Sequence, residues 1–211
     1  MNLRPDPTSY PSAKLAMEAP VENYAFTVMF SPDRSQPDGI AVIDLNPNSK
    51  THGQIVHQVI VPHKGDEFHH FGWNACSASL SPLSGHAFLE RRYLIVPGIR
   101  SSRIYVIDVK DPLKAKIHKT IEPEEVFSKT GYSRPHTIHC GPEGVYVSCL
   151  GGGGEDGTDG PPGIFIMDCE TFEIIGQYEM DRGKQDKHYD FWWNLPQGLH
   201  GELRMGLAAT V

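Results

Sequence analysis

An internal repeat limits this chain more than any other feature of its sequence. Gly39-Ile40-Ala41-Val42-Ile43-Asp44 recurs as Arg103-Ile104-Tyr105-Val106-Ile107-Asp108 and again as Gly163-Ile164-Phe165-Ile166-Met167-Asp168. The aspartates are spaced by 64 and 60 residues. Each copy is a short, β-branched, apolar run that ends at an Asp, which reads as a buried strand meeting a turn. Asp44, Asp108 and Asp168 are expected to hold those turns through Asx-type hydrogen bonds. The flanks repeat as well. A strand candidate precedes each copy (24–30, 92–96 and 144–150), and another follows it (54–61, 116–121 and 172–178). A segment rich in His and aromatics then closes each unit: His69-His70-Phe71-Gly72-Trp73-Asn74, His136-Thr137-Ile138-His139-Cys140 and His188-Tyr189-Asp190-Phe191-Trp192-Trp193.

Three copies of a four-strand unit of about 60 residues are the mark of β-propeller blades. The expected fold is all-β, an incomplete β-propeller of about three four-stranded blades. A single β-sandwich with accidental similarity is the alternative. The 21 glycines and 17 prolines favour many turns over long helices. The expected layout is an N-terminal extension over 1–20, blades over 21–197 forming one partial domain, and a divergent tail over 198–211. Gly151 to Pro162 reads as a loop inserted between two strands. Its glycines are not followed by a Lys-Ser or Lys-Thr pair, so a phosphate loop is not expected. Residues 122–133 hold the one plausible short helix, with Pro123 at its start. Propellers close with about four to eight blades, so three units leave an open arc with an unpaired edge. A fragment of a longer protein, or an assembly of several chains, would complete it.

Charge and cysteine usage narrow the partners. A net charge of -7, from 19 basic and 26 acidic residues, argues against nucleic acid. No apolar run approaches the roughly 18–20 residues that cross a bilayer, and Met1 to Pro20 has no apolar core of a secretory signal. Cys76, Cys140, Cys149 and Cys169 show no Cys-x-x-Cys spacing, which points to a reducing, cytoplasmic compartment and not to a disulfide framework.

The 11 histidines are unevenly spread. His69-His70 and His136-x-x-His139 fall at equivalent places in two units, beside the central channel of a propeller. Imidazole suits copper, zinc or iron. Neighbouring histidines on a regular strand point to opposite faces, so both reach one metal only at an irregular strand end. The plainer reading is a hydrogen-bonded channel pair. Glu67 and Asp190 are placed to orient a ligating His through its second nitrogen, or else are solvated turn carboxylates. Cys76 and Cys140 are reactive thiols if a nearby cation lowers their pKa, and otherwise small buried hydrophobes. Cys149 and Cys169 read as core. Trp73, Trp192 and Trp193 are expected to fill space between blades.

The run from Asp66 to Ser77 (DEFHHFGWNACS) resembles the DELHHSGWNTCSS signature of the selenium-binding protein family, which includes methanethiol oxidase. Ser101 to Asp108, Ile117 to Pro123, His136 to Cys140 and Tyr189 to Trp192 are similar to further motifs of that family, in the same order. The resemblance implies a seven-bladed propeller of which this chain is an N-terminal portion. It implies copper as cofactor and a small thiol as substrate, with methanethiol oxidised by oxygen and water to formaldehyde, hydrogen sulfide and hydrogen peroxide. It places His69, His70, His136 and His139 at the family's metal positions, with further ligands from the missing blades. A selenium-binding or scaffold propeller without catalysis is the alternative. Gly53 stands where the family carries the cysteine associated with selenium, and Ser79 where it carries a second one, which argues against selenium binding by this chain. From Gln197 the pattern is lost. One permitted codon choice, read one nucleotide later, restores a family-like Ser-Ser-Glu-Trp-Ala. The chain is therefore expected to be a frameshifted or mispredicted product of a full-length gene, truncated and with an incomplete site; a genuine short splice form is the alternative.

Overall fold

The computed structural model describes residues 6–10, 12–75, 88–141, 143–153, 159–181, 183–184, 188–194 and 204–208. Its sheets follow one another along the chain. β1 (Tyr24–Met29), β2 (Pro37–Asp44) and β3 (Ile55–Lys64) form a three-stranded antiparallel sheet. β4 (Gly72–Trp73), β5 (Tyr93–Pro97), β6 (Ile104–Asp108) and β7 (Lys116–Ile121) form a four-stranded one. β8 (Pro135–Cys140) and β9 (Val145–Cys149) open the third. β10 (Gly152–Gly153) and β11 (Asp159–Gly160) make a small ladder inside the expected insertion. β12 (Gly163–Met167) and β13 (Ile174–Gln177) then complete the third sheet in the order β8-β9-β12-β13. β14 (Asp190–Asn194) pairs with β15 (Arg204–Ala208), so five residues of the divergent tail are hydrogen-bonded to the last His-rich segment. This is an all-β arrangement of successive partial propeller blades, left open.

The grouping of strands differs in one respect from the repeat read off the sequence. Each His-rich segment is the first strand of the sheet that follows it, not the last of the unit before. An antiparallel meander that ends at one side of a sheet has to recross to begin the next. The first sheet consequently has three strands.

The repeated runs are apolar throughout because their strands are buried on both faces. Along β6, Ile104 and Val106 pack toward the third sheet with Ile138, Val145, Val147 and Phe165, while Tyr105 and Ile107 pack toward the first with Ile40 and Val59. On the far side of the third sheet, Tyr146 and Ile164 pack with Phe191 of β14. The core is therefore a series of layers between sheets. Each fully buried Ile, Val or Phe contributes about 1.5–3 kcal/mol to holding neighbouring blades together. Cys149 and Cys169 lie in these layers as free thiols, and burial pushes the Cys169 thiol up to about 12.

The three aspartates do hold the turns. Asp44 Oδ1 accepts from Asn46 N at 2.8 Å, Asp108 Oδ1 from Lys110 N at 3.1 Å, and Asp168 Oδ1 from Glu170 N at 2.9 Å. The expected helix is α2 (Pro123–Thr130), following an unforeseen single turn, α1 (Ala13–Met17), in the N-terminal extension. In α2, Pro is at the first position, Glu124 and Glu125 favour the positive end of the dipole, and Gly131 at φ 70° ends it. In α1, Ser12 accepts from Leu15 N. The extension is tied to the second sheet where Arg91 N donates to Thr8 Oγ1 at 2.8 Å.

Asp108 also takes a bidentate pair from Arg92, with Nε at 2.8 Å and Nη2 at 2.6 Å. That pairing holds its carboxyl down to about 2. A carboxylate whose folded pKa is depressed stabilises the fold above its unfolded pKa and loses that contribution as pH falls. Unfolding measured between pH 5 and pH 2 should show the chain weakening from about pH 4 downward. Asp108→Asn should cost about 1.5–3 kcal/mol at neutral pH and flatten the acid limb; an unchanged limb would show that other carboxylates govern it.

Candidate functional site

The first histidine pair sits on a loop held by buried carboxylates. Asp66 is fully buried and accepts from Arg103 Nη1 and Tyr105 Oη, both at 2.9 Å. Arg103 continues to Glu122 at 2.8 Å, and burial together with Asp66 pushes the Tyr105 phenol up. The next residue, Glu67, has φ 61°, and its amide donates to Asp38 Oδ2 at 2.6 Å. Asp38 is itself buried and accepts from Ser31 N through Oδ1. Phe68 then turns inward against Tyr105 and bridges to Gly98. With 66 and 68 fixed inward, His69 is delivered to the partly exposed face.

The second pair comes from β8. Its pairing with β9 shifts register between Pro135 and Ile138, so His136 and His139 are not confined to the alternation of a regular strand. β4 approaches β8 closely at Gly72, where a Cβ would lie 2.5 Å from the Ile138 carbonyl oxygen. Any larger residue at 72 would push the strands apart. This approach brings His70 onto His136: their ring centroids are 4.3 Å apart, and His70 Nδ1 lies 3.1 Å from His136 Nε2. The His69 ring stands perpendicular to His136 at 5.6 Å. The two pairs therefore meet at irregular strand ends. His139 packs edge-on against Phe191 at 5.1 Å.

Burial lowers the pKa of His70 and His139, Asp190 opposing the shift in both. His136 is pushed down to about 4, first by burial and then by His70. These imidazoles are neutral at neutral pH, which is the form that binds a metal. Glu67 Oε1 lies 2.8 Å from His69 Nε2, and Glu67 is also ion-paired to Arg100. It thus holds His69 by a direct side-chain contact. Asp190 Oδ1 lies 4.0 Å from His139 Nε2 and accepts from Phe191 N at 2.7 Å, so it acts on the cluster as a nearby charge and not through a direct bond.

The thiol expectations fare differently. Cys140 is disulfide-bonded, so it is not a free nucleophile here, and the expectation of four unbridged cysteines does not hold. Spacing alone could not reveal this, because a disulfide depends on spatial approach. Cys76 lies outside the described residues, as do the side chains of Trp192 and Trp193. Trp73 packs between sheets against Phe26, with Arg91 over its ring at 4.6 Å.

Sequence reasoning missed the groups behind the histidines. His136 Nδ1 donates to the Tyr189 carbonyl oxygen at 3.1 Å, and Thr137 Oγ1 and Ser148 Oγ donate to the same oxygen. Tyr189 also stacks obliquely on His136 at 4.2 Å. It was visible only as a neighbour of Asp190 in the third His-rich segment. Nothing in one dimension marked Asp38, Thr137 or Ser148.

Donor chemistry and spacing decide how a metal would fit. Two imidazole nitrogens bound to one ion at about 2.0–2.1 Å lie roughly 3 Å apart. The separation of His70 Nδ1 and His136 Nε2 matches that. Among the described residues, no three His, Cys, Asp or Glu side chains are grouped closely enough to hold an ion. The described residues therefore present a convergent imidazole pair with His69 and His139 beside it, and not a complete ligand set.

Comparison with known proteins places this geometry. Residues 3–200 match the family model described as 56kDa selenium binding protein, SBP56. The chain belongs to the SBP56 family. This SBP56 chain is 40% identical over 188 residues to Selenium-binding protein 3 of Arabidopsis thaliana and 39% identical over 188 residues to a methanethiol oxidase of Xenopus laevis. Each alignment covers 87% of the chain and 38% of the relative, so the chain spans about two-fifths of their length. It also resembles the X-ray structure of a hypothetical selenium-binding protein from Sulfolobus tokodaii, at 54% identity and TM-score 0.81, covering 90% of this chain and 42% of that one. Among the described residues of the SBP56 chain, no helix is long and apolar enough to cross a membrane.

Proposed function

We propose that this chain carries the histidine-lined part of a copper-dependent methanethiol oxidase. The observation behind this reading is the His70–His136 pair at 3.1 Å, neutral and backed by His69 and His139, in a chain similar to proteins named methanethiol oxidase. Copper, when bound, supplies a path for electrons from thiolate to oxygen. The overall conversion takes methanethiol, oxygen and water to formaldehyde, hydrogen sulfide and hydrogen peroxide, with every atom accounted for. His70 and His136 would hold the ion, and Glu67 would keep His69 turned toward it. Phe30, Tyr189 and Phe191 lie against the histidines, an apolar edge that would suit a small thiol. The remaining ligands would come from length that the relatives have beyond this chain. A frameshift or truncation near Gln197 would explain why the site is partial, and a cytoplasmic location would suit the thiol chemistry.

A second reading is a selenium-binding propeller without turnover; the name of one relative, Selenium-binding protein 3, supports its selenium-binding part. One experiment separates the two. The chain is titrated with Cu(I) against a chromophoric chelator. A chimera joining residues 21–194 to the remaining length of the Sulfolobus tokodaii protein is then given methanethiol and oxygen. The oxidase reading expects copper retained by both and the three products formed in equal amounts by the chimera. A folded, copper-loaded chimera that forms no products overturns the oxidase and leaves the binding module. Failure of both proteins to retain copper overturns the copper site itself.

A further inference from the structure

The Tyr189 carbonyl is an unusual junction, and its consequences reach beyond its own strand. Three donors converge on this one oxygen: His136 Nδ1 at 3.1 Å, Ser148 Oγ at 3.2 Å and Thr137 Oγ1 at 3.3 Å. Thr137 Oγ1 also lies 3.1 Å from His136 Nδ1, and Ser148 Oγ accepts from the Thr137 amide at 3.1 Å. Thr137, Ser148 and His136 are all buried to at least 96%, at 4%, 0% and 1% exposure. A carbonyl oxygen can only accept. The proton of neutral His136 therefore sits on Nδ1, and its Nε2 presents a lone pair. That lone pair is aimed at His70 Nδ1.

We infer that Thr137 and Ser148 are positioning residues that hold the Tyr189 carbonyl on His136 and so fix the tautomer and ring orientation through which His136 would bind copper. The link to copper rests on the reading proposed above; the tautomer does not. Neither hydroxyl lies between His70 Nδ1 and His136 Nε2. Ser148 acts through the carbonyl, and Thr137 through the carbonyl and its own contact with His136 Nδ1, in the way that outer partners of ligating histidines set ring orientation and basicity. The network also joins β8 and β9 to the segment entering β14, so it sets the site across two successive sheets. Without Ser148, the Thr137 amide loses its acceptor and the carbonyl one of its donors. The ring of His136 is then free to exchange tautomers or to swing its lone pair off His70.

The test uses the whole chain and two readouts. Long-range 1H–15N NMR of histidine-labelled protein reports which nitrogen of His136 carries the proton, without any metal. Cu(I) titration against a chromophoric chelator reports affinity. The wild-type chain should show His136 protonated on Nδ1. Ser148→Ala and the isosteric Thr137→Val should each give mixed tautomers and weaken Cu(I) by about tenfold, while Thr137→Ser, which keeps the hydroxyl, should stay within about twofold. A general loss of structure would weaken all three variants alike and would not spare Thr137→Ser. Wild-type His136 protonated on Nε2 overturns the inference without reliance on any variant. So does a Cu(I) affinity unchanged in both Ser148→Ala and Thr137→Val. If the wild-type chain takes up no Cu(I) yet shows the Nδ1 proton and its loss in the variants, the positioning role stands and the copper reading fails.

Discussion

Replacing Asp66 with alanine is expected to destabilise the chain by about 3–5 kcal/mol, the usual cost of breaking a buried ion pair from one side. Asp66 is fully buried, and Arg103 Nη1 and the Tyr105 hydroxyl both donate to it. Among the described residues, removing it leaves the guanidinium with the half-exposed Glu122 as its charge partner and takes away the carboxylate acceptor of the Tyr105 phenol. The loop would suffer next. The Asp66 carbonyl accepts from Arg100 N and the Glu67 carbonyl from Ile99 N, which together pin the start of the segment carrying His69 and His70. Urea unfolding would measure the loss. Asp66→Asn, which keeps an acceptor for Tyr105 but not the charge, should fall between wild type and Asp66→Ala. A midpoint for Asp66→Ala within about 1 kcal/mol of wild type would show that water or Glu122 takes over the pairing.

His136→Ala should weaken Cu(I) by at least about 100-fold, the upper end of the loss seen when only an outer partner of a ligand is removed. The same substitution should change how the chain responds to acid. Burial holds His136 down to about 4, well below the ordinary value of about 6.5. The unfolded chain therefore binds more protons between those limits, and stability falls as pH drops from about 6.5 to about 4. His70 and His139 are shifted in the same direction by burial, so they add to that slope. Without His136 the slope should be visibly shallower while the Asp108-dependent limb below about pH 4 remains. Unfolding midpoints at pH 7, 5.5 and 4.5 for both proteins would show it. Parallel curves would mean that His136 is more solvated than its packing against His70 and Tyr189 indicates.

The repeat was legible because its cause is local. A strand buried on both faces has to be apolar at every position, and a turn that ends it has to satisfy backbone amides. Ile104 to Asp108 and Gly163 to Asp168 therefore advertise both strand and turn. The histidine pairs were legible for a similar reason, since they recur at the same place in successive units. What the repeat left ambiguous was which sheet each His-rich segment joins. Both choices give the same periodicity, and only strand pairing separates them. The single-turn α1 escaped notice because one capped turn has no amphipathic pattern to betray it.

Sequence alone determined the class of fold, the turn aspartates, the helix after Pro123 and the four histidines worth following. These depend on residues a few positions apart. Tertiary structure decided the rest: that Gly72 lets β4 approach β8, that His70 meets His136 at 3.1 Å, that Cys140 is bridged, and that Asp38, Asp66, Thr137 and Ser148 stand behind the site. Those contacts join residues 29, 37, 66 and 41 positions apart in the respective hydrogen bonds. A hydrogen bond across such distances is set by how the sheets stack and where the chain recrosses between them, and local propensity carries no trace of either.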